Sequence, residues 1–273
     1  MIKCNDWPIS VCSWSLGNDF QALATLRNQT GLDTLNFAVL PALEAGGEQY
    51  LARVKSEAYN ISATMINFPQ EDYSSLEAIK ATGGIVPQEY WGENKKRILD
   101  AIDITVELGV KYLLMHFGFL SHSDEGAYKS FCEKVEFLAE RAGEKGVVFL
   151  METGQESAAE LRAFLEEMND SALAVNFDPA NMILYNKDEP LDGIVKLAKW
   201  IKHIHIKDAV RTTVPGTWGA EVVWATGQVG SDKFLNKLKE INFKGTLAIE
   251  REAGDNRLQD IITAINELKN FAC

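Results

Sequence analysis

Along the chain, short runs of Val, Ile and Leu alternate with longer stretches whose apolar residues recur every three or four positions. The first pattern predicts buried strands and the second amphipathic helices, because the two backbones repeat their faces with different periods. Strands are predicted at Ile9–Trp14, Thr34–Leu40, Ser62–Phe68, Tyr112–Phe117, Val147–Glu152, Leu173–Phe177, His203–Lys207 and Thr246–Glu250. Helices are predicted at Phe20–Asn28, Gln49–Tyr59, Asn94–Leu108, Ala127–Ala142, Ala158–Met168, Leu191–Trp200, Lys233–Ile241 and Leu258–Phe271. Runs such as KYLLMHF and GVVFLME are apolar at nearly every position. A parallel sheet covered on both faces has that signature, whereas a sheet with one wet face would alternate.

Eight strand-helix units share 273 residues. That is about 34 residues each, near the ~30 of one βαβ element. A doubly wound open sheet usually has five or six strands, so the α/β chain is predicted to be a single-domain (β/α)8 TIM barrel spanning 1–273. Two connections are longer than usual, Pro69 to Pro87 and Ala209 to Asp232. Both follow strands and so rise from the face where barrels carry their active sites, which makes them candidate lids.

Composition narrows the function. At 46% hydrophobic and 24% charged, the chain reads as an ordinary globular protein. Its 27 basic and 39 acidic residues give a net charge of −12, which argues against nucleic acid as a partner because such binding draws on Lys and Arg. A local basic pocket for a small anion stays open. No segment approaches the ~20 apolar residues of a membrane span, and the N-terminal MIKCNDWPISVCSWSLG lacks an apolar signal core. The expectation is an untargeted cytoplasmic protein with no membrane partner. Cys4, Cys12, Cys132 and Cys273 form no CxxC pair, so reduced thiols are expected rather than a thiolate zinc site or a disulfide framework.

Chemistry concentrates at the strand ends. The fifth predicted strand runs out into FLMETGQE with Glu152, the sixth into VNFDPAN with Asp178 and Asn181, the seventh is HIHIKDAVR, and the eighth ends in LAIERE with Glu250. In a barrel, Glu152, Asp178, one histidine and Glu250 converge on the mouth. Three carboxylates so close would repel one another, and each loses hydration. One divalent cation resolves this, and three oxygens with one imidazole suit Mn²⁺, Mg²⁺, Co²⁺ or Zn²⁺. His203 and His205 share a face; His205, nearer the end, is the expected ligand and His203 a supporting residue below it. Any one strand-end carboxylate is equally a salt bridge or helix cap, but four in register point to a site.

At these residues the sequence resembles the xylose isomerase-like TIM barrel superfamily, which includes ketose 3-epimerases, inosose isomerases and dehydratases, and endonuclease IV. The resemblance implies one metal held by Glu152, Asp178, His205 and Glu250. It also covers an HxHxxD/ExxR pattern, here His203, His205, Asp208 and Arg211, and implies that Arg211 contacts substrate. Asn181 stands where the epimerases and endonuclease IV have a histidine, and four histidines are too few for the latter's trinuclear zinc site.

The implied activity is a metal-dependent isomerase or epimerase abstracting a proton α to the carbonyl of a keto-sugar, sugar phosphate or cyclitol. Glu152 and Glu250 would be its two proton carriers. A dehydratase or lyase on the same scaffold is the alternative, since loss of a β-hydroxyl can follow the same first step. A non-catalytic carbohydrate-binding barrel is a third reading. His116, at the end of the fourth strand, is expected to bond substrate or to lie buried beneath it; Trp14, Trp218 and Trp224 are candidates for stacking on a sugar or anchoring loops. Lys207 is expected to point away as a structural residue, Glu156 to meet a helix N-terminus, and His122 to be solvated. A homo-oligomer is left open.

Overall fold

The structure, a computed structural model, describes residues 1–120 and 124–271. Eight strands form its centre: β1 (Trp7–Cys12), β2 (Thr34–Ala38), β3 (Asn60–Met65), β4 (Tyr112–Met115), β5 (Val148–Glu152), β6 (Leu173–Phe177), β7 (Ile201–Ile206) and β8 (Thr246–Ile249). Each pairs in parallel with its sequence neighbours, and β8 returns to pair with β1, closing the barrel. All eight lie at the predicted positions, shifted by up to a few residues at their ends.

The helices follow in turn: α1 (Phe20–Thr30), α2 (Gly47–Ser56), α3 (Trp91–Glu107), α4 (Glu125–Glu144), α5 (Ala158–Met168), α6 (Pro190–Leu197), α7 (Ser231–Glu240) and α8 (Arg257–Phe271). Asp19, Asp124 and Ser157 accept the first free amides of α1, α4 and α5 through their side chains. Among the described residues no helix is long and apolar enough to cross a membrane.

Strand alternation divides the interior in two. Residues such as Leu35, Phe37, Phe149, Val175, Ile204 and Leu247 belong to the continuous apolar layer beneath the helices. The barrel lumen holds a separate small cluster of Ala63, Leu114, Leu150 and Ala174, with buried Ser10, Asn36, Asn176, His203 and His205. The lumen is therefore polar toward its mouth. Two register shifts, one beside Asn36 and one beside Asn176, change the spacing of the ladder at the residues that reach the histidines.

The two long connections are folded. The first contains a short helix, Leu76–Thr82, and is fastened from several sides: Glu71 accepts the amides of Phe68 and Gly84 at 3.0 Å each, and Lys134 Nζ donates to Ile85 O at 2.8 Å. Gly84 is required there. Its φ is 62°, and a Cβ would lie 2.2 Å from the carbonyl carbon of Phe117. The second connection contains an antiparallel ribbon, Asp208–Val210 with Ala220–Val222. Neither the short helix nor the ribbon has a repeating apolar face long enough to be visible as sequence periodicity.

Candidate metal centre

At the mouth, Glu152 closes β5, Asp178 follows β6, His205 lies within β7 and Glu250 follows β8. One ligand atom from each lies within 4.8 Å of the other three. His205 Nδ1 is 2.9 Å from Glu152 Oε1, 3.3 Å from Glu250 Oε2 and 3.7 Å from Asp178 Oδ2. All four residues are buried.

Local bonds aim each group. Asp178 Oδ1 accepts the amides of Ala180 and Asn181, capping the helix Pro179–Leu184, which turns Oδ2 toward the cluster. Asn36 Nδ2 donates to Ala63 O, so its Oδ1 is left as an acceptor, 3.1 Å from His205 Nε2. Nε2 must then carry a proton, and Nδ1 faces the carboxylates. Neither His205 Nδ1 nor Asp178 Oδ2 has a hydrogen-bond partner. Two buried, unpartnered donor atoms among three carboxylates fit a divalent ion.

The electrostatics agree with that reading. Burial opposes a charged imidazole, yet Cys12, Glu152 and Glu250 raise His205 well above its usual pKa. Burial pushes the Cys12 thiol itself up to about 12, leaving the carboxylates as the charged influence at neutral pH. Burial raises Asp178 against the pull of Lys207 and His205. Burial also acts on Glu250, but Lys207 and His205 outweigh it and hold that carboxyl well below the usual range. A cation held here would take the place of a proton on the histidine.

Below the cluster, burial and His205 hold the His203 imidazole well below its usual pKa. Its Nδ1 pairs with Asn176 Oδ1 at 2.7 Å and its Nε2 with Ser62 Oγ at 3.2 Å. Lys207 departs from expectation: Nζ lies 2.8 Å from Glu250 Oε2, 2.9 Å from Glu252 Oε2 and 3.9 Å from Asp178 Oδ2. It shares the odd-numbered parity of His203 and His205, which turns it inward. Burial disfavours its charge, but these carboxylates hold its pKa well above the usual value.

A cavity of about 550 Å³ opens above, lined by Trp14, His116, Asn181 and Trp218 among others. Trp14 Nε1 donates to Glu250 Oε1 at 2.7 Å. His116 Nε2 is 3.6 Å from Glu152 Oε2, and Asn181 Nδ2 is 3.4 Å from Glu152 Oε1. Trp218 packs edge-on against Tyr185, whereas Trp224 is buried against Phe234 as a core anchor.

Arg211 is not brought to the cavity. Its guanidinium bonds Glu189 Oε1 at 2.7 Å and also Asn186, and the substrate contact expected of it is not in this geometry. Glu156 lies buried one residue ahead of the cap of α5, where Ser157 and Glu160 form the capping box. His122 and Cys273 lie outside the described residues. Sequence reasoning missed Asn36, Glu221 and Glu252. The parity of LAIERE, which puts Glu252 on the side of Glu250, could have found one of them; nothing in the pattern marks the other two.

A family model described as xylose isomerase-like TIM barrel matches residues 29–271. Over 145 residues the chain is 26% identical to inosose dehydratase 1 of Bacillus cereus, covering 47% of this chain and 48% of the relative. The match thus spans about half the length of that curated relative. Among solved structures, a xylose isomerase domain protein from Planctomyces limnophilus superposes with a TM-score of 0.87 at 28% identity, covering 98% of this chain and 97% of the other. A xylose isomerase-like TIM barrel protein from Mycobacterium smegmatis, in complex with magnesium, gives 0.71 at 18% identity over 100% of both chains, a likeness of fold.

Proposed function

The chain belongs to the xylose isomerase-like TIM barrel family, and from that premise we propose that it is a divalent-metal-dependent isomerase or epimerase acting by proton abstraction α to the carbonyl of a keto-sugar or cyclitol. The observation that carries this reading is the set Glu152, Asp178, His205 and Glu250, with two buried donor atoms unpartnered at the floor of the cavity. These residues would hold the ion. Bound there, it supplies a Lewis acid that polarises a carbonyl oxygen.

The two glutamates differ in how much of their basicity is free. Both Glu250 oxygens are engaged, one by Trp14 and one by Lys207, which weakens it as a base. Among the described residues, Glu152 Oε2 makes one ion-pair contact, with His116 Nε2 at 3.6 Å. Glu152 therefore takes the proton, and Glu250 guards the opposite side and returns it. Asn181 and His116 orient substrate hydroxyls, while Trp14 and Trp218 wall the cavity against water.

Dehydration is the second reading, favoured by the similarity to inosose dehydratase 1 of Bacillus cereus. It differs only in what leaves after the α-proton. Candidate ketoses and cyclitol ketones incubated with Mn²⁺-loaded protein in D₂O separate the two: deuterium uptake with the carbon skeleton and oxygens retained supports isomerisation, and loss of water supports dehydration. No exchange with any of them, together with no affinity for Mn²⁺, Co²⁺ or Zn²⁺, would sink both.

A further inference from the structure

We infer that the cavity takes an uncharged polyol, a free keto-sugar or cyclitol, and rejects phosphorylated and carboxylated ones. The inference rests on the function proposed above and sharpens its substrate class. Three observations carry it.

The first is the charge on the walls. Glu152, Glu221, Glu250 and Glu252 line the cavity, and Lys207 is its one Lys or Arg among the described residues. That ammonium is already bonded to Glu250 and Glu252. Counting Asp178 as well, five carboxylates face one lysine and the proposed dication, and Arg251, beside Glu250 in sequence, is bonded to Glu221 at 2.7 Å and to Asp260 at 2.9 Å. Among the described residues that line the cavity, no Lys or Arg is left unpaired for an anion.

The second concerns the loops after the seventh and eighth strands, where barrels commonly build phosphate sites from backbone amides. Here those amides are filled from within. Asp208 Oδ2 accepts Gly227 N at 2.9 Å, and Asp208 Oδ1 accepts Val229 N at 3.0 Å. Glu221 Oε1 accepts Glu252 N at 3.0 Å, and its Oε2 accepts Ala253 N at 3.2 Å. Two internal carboxylates thus occupy four amides of these loops. The third is the diversion of Arg211 into its pair with Glu189. The remaining polar lining includes Asn18, Asn67, Asn181, Tyr73, Tyr185 and the imidazole of His116, groups that can bond hydroxyls.

Ligand binding to the Mn²⁺-loaded protein tests this, read as paramagnetic broadening of ¹H and ³¹P resonances. The probes are D-fructose, D-fructose 6-phosphate, scyllo-inosose and inorganic phosphate. The uncharged ligands are expected to bind about tenfold or more tightly than the phosphorylated one. Equal or tighter binding of the phosphorylated sugar, or no binding by either uncharged probe, overturns the inference. In Glu221→Gln and Glu252→Gln, inorganic phosphate is expected to gain about tenfold in affinity; two folded variants without that gain would also overturn it. α-Proton exchange keeps the two readings apart. Uncharged ligands that bind without exchange retire the proposed reaction alone, and exchange confined to phosphorylated sugars retires the charge selectivity alone.

Discussion

Single side chains decide what the site can hold and move. Glu152→Gln keeps the shape but removes the freer base, so deuterium exchange should fall by about 10²–10⁴-fold; retention of full exchange would reassign the base. Asn36→Leu should leave His205 Nε2 without its acceptor and release the imidazole to turn. The expected cost is about 10–100-fold in affinity for Mn²⁺, measured by titration calorimetry, with the fold retained by circular dichroism. The candidate ligands were legible because each stands at the end of an apolar run. Lys207 was misread as pointing away, although its parity with His205 carried the signal that it faces inward. Asn36 was not, since an amide within a strand carries no mark of what its oxygen faces.

At the scale of elements, the barrel strands and the helices around them were readable because burial imposes a regular period on each. The pieces that shape the mouth were not. The Leu76–Thr82 helix has 7 residues and the Asp208–Val210 strand 3, too few repeats for a periodic apolar face to stand out. Both connections are anchored walls in this structure, fixed by side chains distant in sequence. Gly84→Ala tests the first. With φ at 62° and a Cβ 2.2 Å from Phe117 C, it should cost about 2–4 kcal/mol by urea unfolding, because the backbone must move.

For the whole molecule, pH acts through a group outside the cluster. Burial, reinforced by Glu160, raises the Glu156 carboxyl to about 8. Its pKa in the unfolded chain is about 4.3. A raised pKa favours the folded state while the group is protonated, so this contribution is intact below about 4.3 and is lost as pH climbs to 8. Glu156→Gln, which cannot ionise, should match the wild type near pH 4.5 and exceed it near pH 9 by a few kcal/mol at most. Urea midpoints at the two pH values measure this; parallel curves would refute it. A bound dication should also raise stability, by about 2.7 kcal/mol at a hundredfold excess over its dissociation constant.

The closure of β8 onto β1 sets the order of events during folding. Trp7 Nε1 reaches Phe243 O, Trp14 Nε1 reaches Glu250, and Arg251 N reaches Ser15 Oγ, each across 236 positions of chain. Contacts so remote in sequence carry a large loop-closure entropy and form late. Glu250 belongs to that seam, so a chain emerging from the ribosome has three of the four candidate ligands before it has the fourth. On the proposed reading, high-affinity metal capture would report barrel closure, because the fourth candidate ligand joins the other three only when the barrel has closed.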